Sequence, residues 1–316
     1  MFDIKSIPSG AYDKIQLTNN KNGEFVSIFP QLGGMLHQIC LRKNETNYQI
    51  LDACRDEAEL KINDKAKGAK LFPFANRIND GCYAFGGENY QLPINWPQEG
   101  HAIHGFVRDK VFAIAQEEIT EDYCAISLSY EFDGQFPGYP FPFLLEIQYK
   151  ITAHSEVIVT TKATNTGHEN MPFGDGWHCY FQLGESADNL HLCLPARNSI
   201  VVDHRGIPTG EEKLDHSFLQ LTKIGDGFLD SGFKLGIVSE KAVARLFDPE
   251  QNVSIEVWQE SGKGKYNFMQ VFVPPSRRSV AIEPMTSMTD SFNNKSGLQV
   301  LAPDEKYHAS WGVKLS

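Results

Sequence analysis

Residues 126–132 read Ile-Ser-Leu-Ser-Tyr-Glu-Phe, and strict alternation of this kind leaves a chain few choices. Successive side chains of a strand point to opposite faces, so Ile126, Leu128, Tyr130 and Phe132 share one face and the polar residues the other. Leu145, Ile147, Tyr149 and Ile151 repeat the pattern against Glu146, Gln148 and Lys150, and Val157, Val159 and Thr161 follow after a turn at 154–156. The two runs read as a hairpin. Two apolar runs between Glu24 and Arg42, joined near Gly33 and Gly34, read as strands, as do Val253 to Trp258 and Ser279 to Glu283. Amphipathic helices are nearly lacking; Asp56 to Lys67 is the best candidate, and it is short. Turn signals such as Phe136-Pro137-Gly138 and Pro274-Pro275 separate the runs. The expected architecture is all-β, a large antiparallel β-sandwich with few short helices.

The 316 residues, 41% hydrophobic and 22% charged, have the composition of a globular protein with a sizeable core. One domain over residues 1–316 is expected, because large all-β folds reach this length; a boundary near Thr166 is the alternative. A formal net charge of -11 without basic clusters argues against nucleic acid or an anionic membrane as a partner. The first ten residues have no basic stretch followed by an apolar run, no segment has the length and apolarity of a membrane span, and the six cysteines form no CxxC. Reduced cysteines and a cytoplasmic location are the expectation.

Four stretches carry candidate chemistry. Asn76-Arg77 stand before a turn at Asn79-Asp80-Gly81; an arginine there offers a fixed charge and a planar fork of donors, although a surface ion pair is the commoner fate of the residue type. His101 and His104 are bracketed by Gly100 and Gly105. No helical pattern runs through them, a strand would send them to opposite faces, and further ligands at metal spacing are lacking, so no metal site is expected. A histidine near neutral pKa is a natural proton donor or acceptor. His178 stands among Trp177, Tyr180 and Phe181, where a core histidine is the plainer reading. Val280 and Ile282 share one parity, so Glu283 faces the other way, and Pro284 should place it at a strand end, a good position for a general base.

Together these stretches resemble the aldose 1-epimerase (galactose mutarotase) family. The resemblance rests on Asn76-Arg77-Ile78, His104-Gly105, His178-Cys179-Tyr180-Phe181, Pro208-Thr209-Gly210-Glu211, Leu229-Asp230-Ser231-Gly232-Phe233 and Glu283-Pro284, in that order over about two-thirds of the chain. Each is weak alone; their ordered conjunction is specific. The resemblance implies the galactose mutarotase-like supersandwich and a cofactor-free reaction. It implies His178 as the general acid on the ring oxygen and Glu283 as the general base on the C1 hydroxyl. Asn76, Arg77, His104 and Asp230 would bind the sugar, with Asp215 in a similar Leu-Asp-x-x-Phe segment as the reserve. His104-Gly105 continues into Phe106-Val107-Arg108, where galactose-specific members often have a second glycine, and Cys179 stands where many have proline or serine.

The leading expectation is an isomerase that interconverts the anomers of an aldohexose, its partner a monosaccharide and the protein a monomer or homodimer. A hexose-6-phosphate 1-epimerase is the alternative, with Arg108 on the phosphate. A non-catalytic carbohydrate-binding or sensor protein is the alternative from another class. A glycoside hydrolase would want two carboxylates flanking the bond, and one convincing carboxylate accompanied by histidines fits that poorly.

Overall fold

The computed structural model describes residues 1–236 and 240–316, and the counts below refer to these. The alternating runs do form strands. Phe143–Thr152 buries every second residue along its whole length, and it pairs antiparallel with Tyr123–Phe132 on one side and Glu156–Asn165 on the other. Ser155 takes the left-handed conformation in the hairpin turn. These strands belong to a nine-stranded sheet that continues through Lys306–Leu315, Val253–Glu260 and Lys241–Asp248.

A second sheet of eight strands carries Ala69–Leu71, Gly176–His178, Val280–Met285, Phe268–Phe272 and Asp230–Leu235 side by side in that order. A five-stranded antiparallel sheet occupies the N-terminal residues Phe2 to Gln49. All ladders between named strands are antiparallel. The core lies between the sheets: Trp177 meets Trp311 and Tyr149 at ring-centroid distances of 6.0 Å each. A single apolar cluster runs from Phe2 to Val313, across Thr166.

Two boundaries differ from the sequence reading. The helix over 56–67 is only Glu57–Ile62, capped by the Asp56 side chain on the Glu59 N–H. It stops because Asn63 turns left-handed and its side-chain oxygen takes the Lys67 N–H. The strand carrying Glu283 does not end there: it runs through Pro284 to Met285, and all six of its residues are buried. Proline is tolerated because the Gly176–His178 strand beside it is short and the ladder resumes past it.

Candidate active site

Four neighbouring segments converge on one cleft. Left-handed residues flank Arg77 on both sides, Asn76 at φ 59° before it and Asp80 at φ 52° in the turn after it. Strand Arg77–Ile78 pairs with Ala102–Ile103, with Ile103 opposite Arg77. The next residue, His104, is itself left-handed at φ 64°, and its N–H donates to the Asn76 carbonyl at 3.0 Å. A non-glycine residue held there is strained and persists because the surroundings fix it. Gly105 has no room for a side chain: a Cβ would lie 2.0 Å from the Phe72 carbonyl oxygen. Gly105 is therefore a requirement of the backbone, and His104 is held beside it against its own preference.

His178 and Glu283 come from adjacent strands of the eight-stranded sheet. Gly176 opposes Met285, and Tyr180 opposes Ala281; continued between these pairs, the register sets His178 directly across from Glu283. Side chains of such a pair lie on the same face and meet. His178 Nε2 is 3.4 Å from Glu283 Oε1, and the His104 ring meets the His178 ring edge-on at 5.1 Å. Tyr180 stacks on His178 from the other side, centroids 4.8 Å apart.

Burial governs the electrostatics. It pushes Glu283 well above its ordinary carboxylate value, the Asp230 charge adds to this, and Arg77 opposes it. Burial pulls His178 down to about 3, against a backbone hydrogen bond that raises it, and Arg108 reinforces the fall. His104 is lowered by the same desolvation, then by His178 and Arg108. The second oxygen of Glu283 and the Nδ1 atoms of both histidines have no partner. Buried polar atoms are normally satisfied, so unsatisfied atoms gathered in one cleft mark a place that receives something polar.

The cleft, with a volume of about 570 Å³, is lined by Asn76, Arg77, His104, Arg108, His178, Asp230 and Glu283, the candidate residues of the sequence reading. Asp230 accepts a 2.6 Å hydrogen bond from Gln270 Nε2. Burial raises its pKa, against Gln270 and Arg77. Asp215 is not among the lining residues; its carboxylate accepts the Ser217 N–H in a local turn. His101 is fully buried, and its Nδ1 accepts the Asp80 N–H at 3.1 Å. It braces the turn beside Arg77 from behind.

Some lining residues carry no motif. Glu99 holds Arg77 through an Nε–Oε2 contact of 2.6 Å, so the ion-pair reading of Arg77 is true and the residue faces the cleft as well. Arg205 donates to the Glu99 carbonyl at 2.9 Å and reaches Asp80 at 2.5 Å, clasping the Glu99 turn from outside. Trp96 and Phe272 add apolar wall. Gln270 opposes Glu283 in the strand pairing and sits beside Asp230; only the register reveals it. Arg108 differs from Arg77: it is mostly buried beside both histidines, and its guanidinium has no hydrogen-bond or ion-pair partner among the described residues.

Comparison with known proteins bears on the family and the fold. The family model described as aldose 1-epimerase matches residues 13–314. The uncharacterized protein YihR of Escherichia coli (strain K12) is 30% identical over 240 residues, 74% of this chain and 73% of YihR. Human galactose mutarotase is 30% identical over 154 residues, 46% of this chain and 41% of that protein. Among solved structures, a galactose mutarotase-like protein from Clostridium acetobutylicum superposes with a TM-score of 0.87 at 21% identity, covering 100% of this chain and 98% of the other. The galactose 1-epimerase of Lactobacillus acidophilus NCFM gives 0.81 at 17% identity, covering 100% and 98%. At these identities the structural likeness establishes the fold.

Proposed function

Because the chain belongs to the aldose 1-epimerase family, we propose that it interconverts the α and β anomers of an aldohexose, with His178 as general acid and Glu283 as general base. The observation that carries this reading is the buried pair itself, two proton-transfer groups 3.4 Å apart in the wall of the cleft. The reaction needs nothing else. The base takes the proton from the C1 hydroxyl, the O1 electron pair forms the carbonyl, the C1–O5 bond breaks, and the acid protonates O5. Rotation about C1–C2 and reclosure by the reverse transfers deliver the other anomer. Both oxygens are bonded to C1, so acid and base must be close neighbours, as a cross-strand pair is.

Burial raises the pKa of Glu283 and lowers that of His178, so it favours the neutral form of each. The reaction as proposed uses them with the proton on His178 and with Glu283 ionised. Such a pair is worth about 10²–10⁴-fold in rate. Arg77, Asn76, His104 and Asp230 offer donors and acceptors around the ring, and Trp96 offers a flat apolar face. The test follows α-glucose or α-galactose by polarimetry or proton NMR, with wild type beside Glu283→Gln and His178→Asn. Both variants should lose the acceleration; failure of the wild type on every free hexose and hexose phosphate would sink the reading.

A second reading rests on Arg108. A guanidinium held beside the reacting histidines, with the Asp109 charge nearby but no hydrogen bond or ion pair among the described residues, suits an anionic substituent such as the phosphate of a hexose 6-phosphate. Arg108→Ala should then raise KM for the phosphorylated sugar by roughly 10–100-fold, the worth of one charge-assisted hydrogen bond, and leave the free hexose nearly unchanged. Equal effects on both sugars would assign Arg108 to the neutral ring.

A further inference from the structure

The spacing of His178 and Glu283 depends on strand register. A slip of one residue would carry Glu283 to the opposite face of the sheet, so something must pin the two strands. The ladder is weak at that point. Ile282 donates its N–H to the Cys179 carbonyl at 3.1 Å, and Thr286 donates its N–H to the Asp175 carbonyl at 2.8 Å. By the alternation of a strand, the donor between these two is residue 284, and Pro284 has no N–H. One hydrogen bond beside Glu283 is therefore missing on the His178 side.

The next rung is doubled. The Asp175 N–H donates to Thr286 Oγ1 at 2.9 Å, so a side-chain hydroxyl completes the ladder where the main chain leaves the strand. Asp175 lies three residues before His178, and Thr286 three residues after Glu283. Both are fully buried. Asp175 is anchored in turn: Tyr266 and Tyr307 donate to its Oδ2 at 2.8 and 3.0 Å, and Lys70 pairs with its Oδ1. Tyr307 and Thr161, which takes a 2.6 Å bond from Lys70, belong to the facing nine-stranded sheet. The next residue, Gly176, fits tightly between Ala75 and Met285, because a Cβ there would meet the Ala75 Cβ at 2.9 Å and Met285 Cγ at 3.3 Å.

We propose that Thr286 and Asp175 are positioning residues, a register pin that sets the His178–Glu283 separation for proton transfer. The proposal rests on the anomerase reading and reaches past it, since neither residue lines the cleft or touches the sugar. Thr286→Val keeps the shape and removes the acceptor; Thr286→Ser keeps the acceptor and removes a methyl group. A displacement of the pair by a fraction of an ångström should lower kcat by roughly tenfold or more in Thr286→Val. KM should stay within about twofold, because the ring-binding residues do not move. Thr286→Ser should restore kcat.

Hydrogen exchange by mass spectrometry over residues 171–180 supplies a readout independent of catalysis. Exchange in this segment should accelerate in Thr286→Val and return to normal in Thr286→Ser. Ile39→Val, a cavity variant in the N-terminal sheet, controls for general loss of stability and should keep wild-type kcat. A Thr286→Val enzyme with wild-type kcat, or one whose loss Thr286→Ser does not restore, overturns the pin. So does unchanged exchange over 171–180. An inactive wild type defeats the anomerase reading instead, and the exchange experiment still decides whether the two strands are pinned here.

Discussion

Glu283 is 2% exposed, and one of its oxygens has no partner. In the fold its pKa stands well above the ordinary 4.5, so the folded state holds a proton that the unfolded chain releases, and stability falls as pH rises from 4.5 toward the folded value. Glu283→Gln removes that dependence. It should abolish anomerisation and raise the melting temperature at neutral pH by a few degrees, corresponding to about 1–3 kcal/mol for an unsatisfied buried polar group; a scanning-calorimetry comparison checks it. The same shifts shape the pH profile. Below about 3 His178 gains a second proton for the pair and no base is left; above Glu283's raised value the last proton leaves and no acid is left. The rate should be flat between these two limits and fall beyond each of them. A rate that climbs near pH 4.5 instead would mean that Glu283 titrates as an ordinary carboxylate.

At the scale of elements, strand alternation in 126–132 and 145–161 was legible because one face of each strand is buried. The all-buried Val280–Met285 was misjudged at its end, since proline reads as a stop where the neighbouring ladder can in fact resume. His178, Glu283, Arg77 and His104 could be read from short motifs, whereas Glu99, Gln270 and Thr286 could not. Their placement comes from which segment lies beside which: Glu99 meets Arg77 across 22 residues, Thr286 meets Asp175 across 111, and Gln270 faces Glu283 from the strand before it. The Gly105 turn offers a test at this scale. Gly105→Ala places a Cβ against the Phe72 carbonyl at φ +66°, which should cost about 2 kcal/mol or more and displace His104. The denaturant midpoint should fall, and KM for the sugar should rise.

At the scale of the whole molecule, the two large sheets are bolted together where the fully buried Lys70–Asp175 pair of one reaches Thr161 and Tyr307 of the other. Lys70→Met keeps the aliphatic stem and leaves the Asp175 charge uncompensated, so it should destabilise by about 3–5 kcal/mol, measurable by denaturant unfolding. The clasp of Arg205 on the Glu99 turn has a different reach. It fastens the outer wall of the cleft from a separate hairpin, while the proton-transfer pair stands on strands locked to the core. On the proposed reading, the wall formed by Glu99 and Arg205 can be exchanged without rebuilding the strands that hold His178 and Glu283, whereas Asp230 and Gln270 share their sheet and are inherited with them.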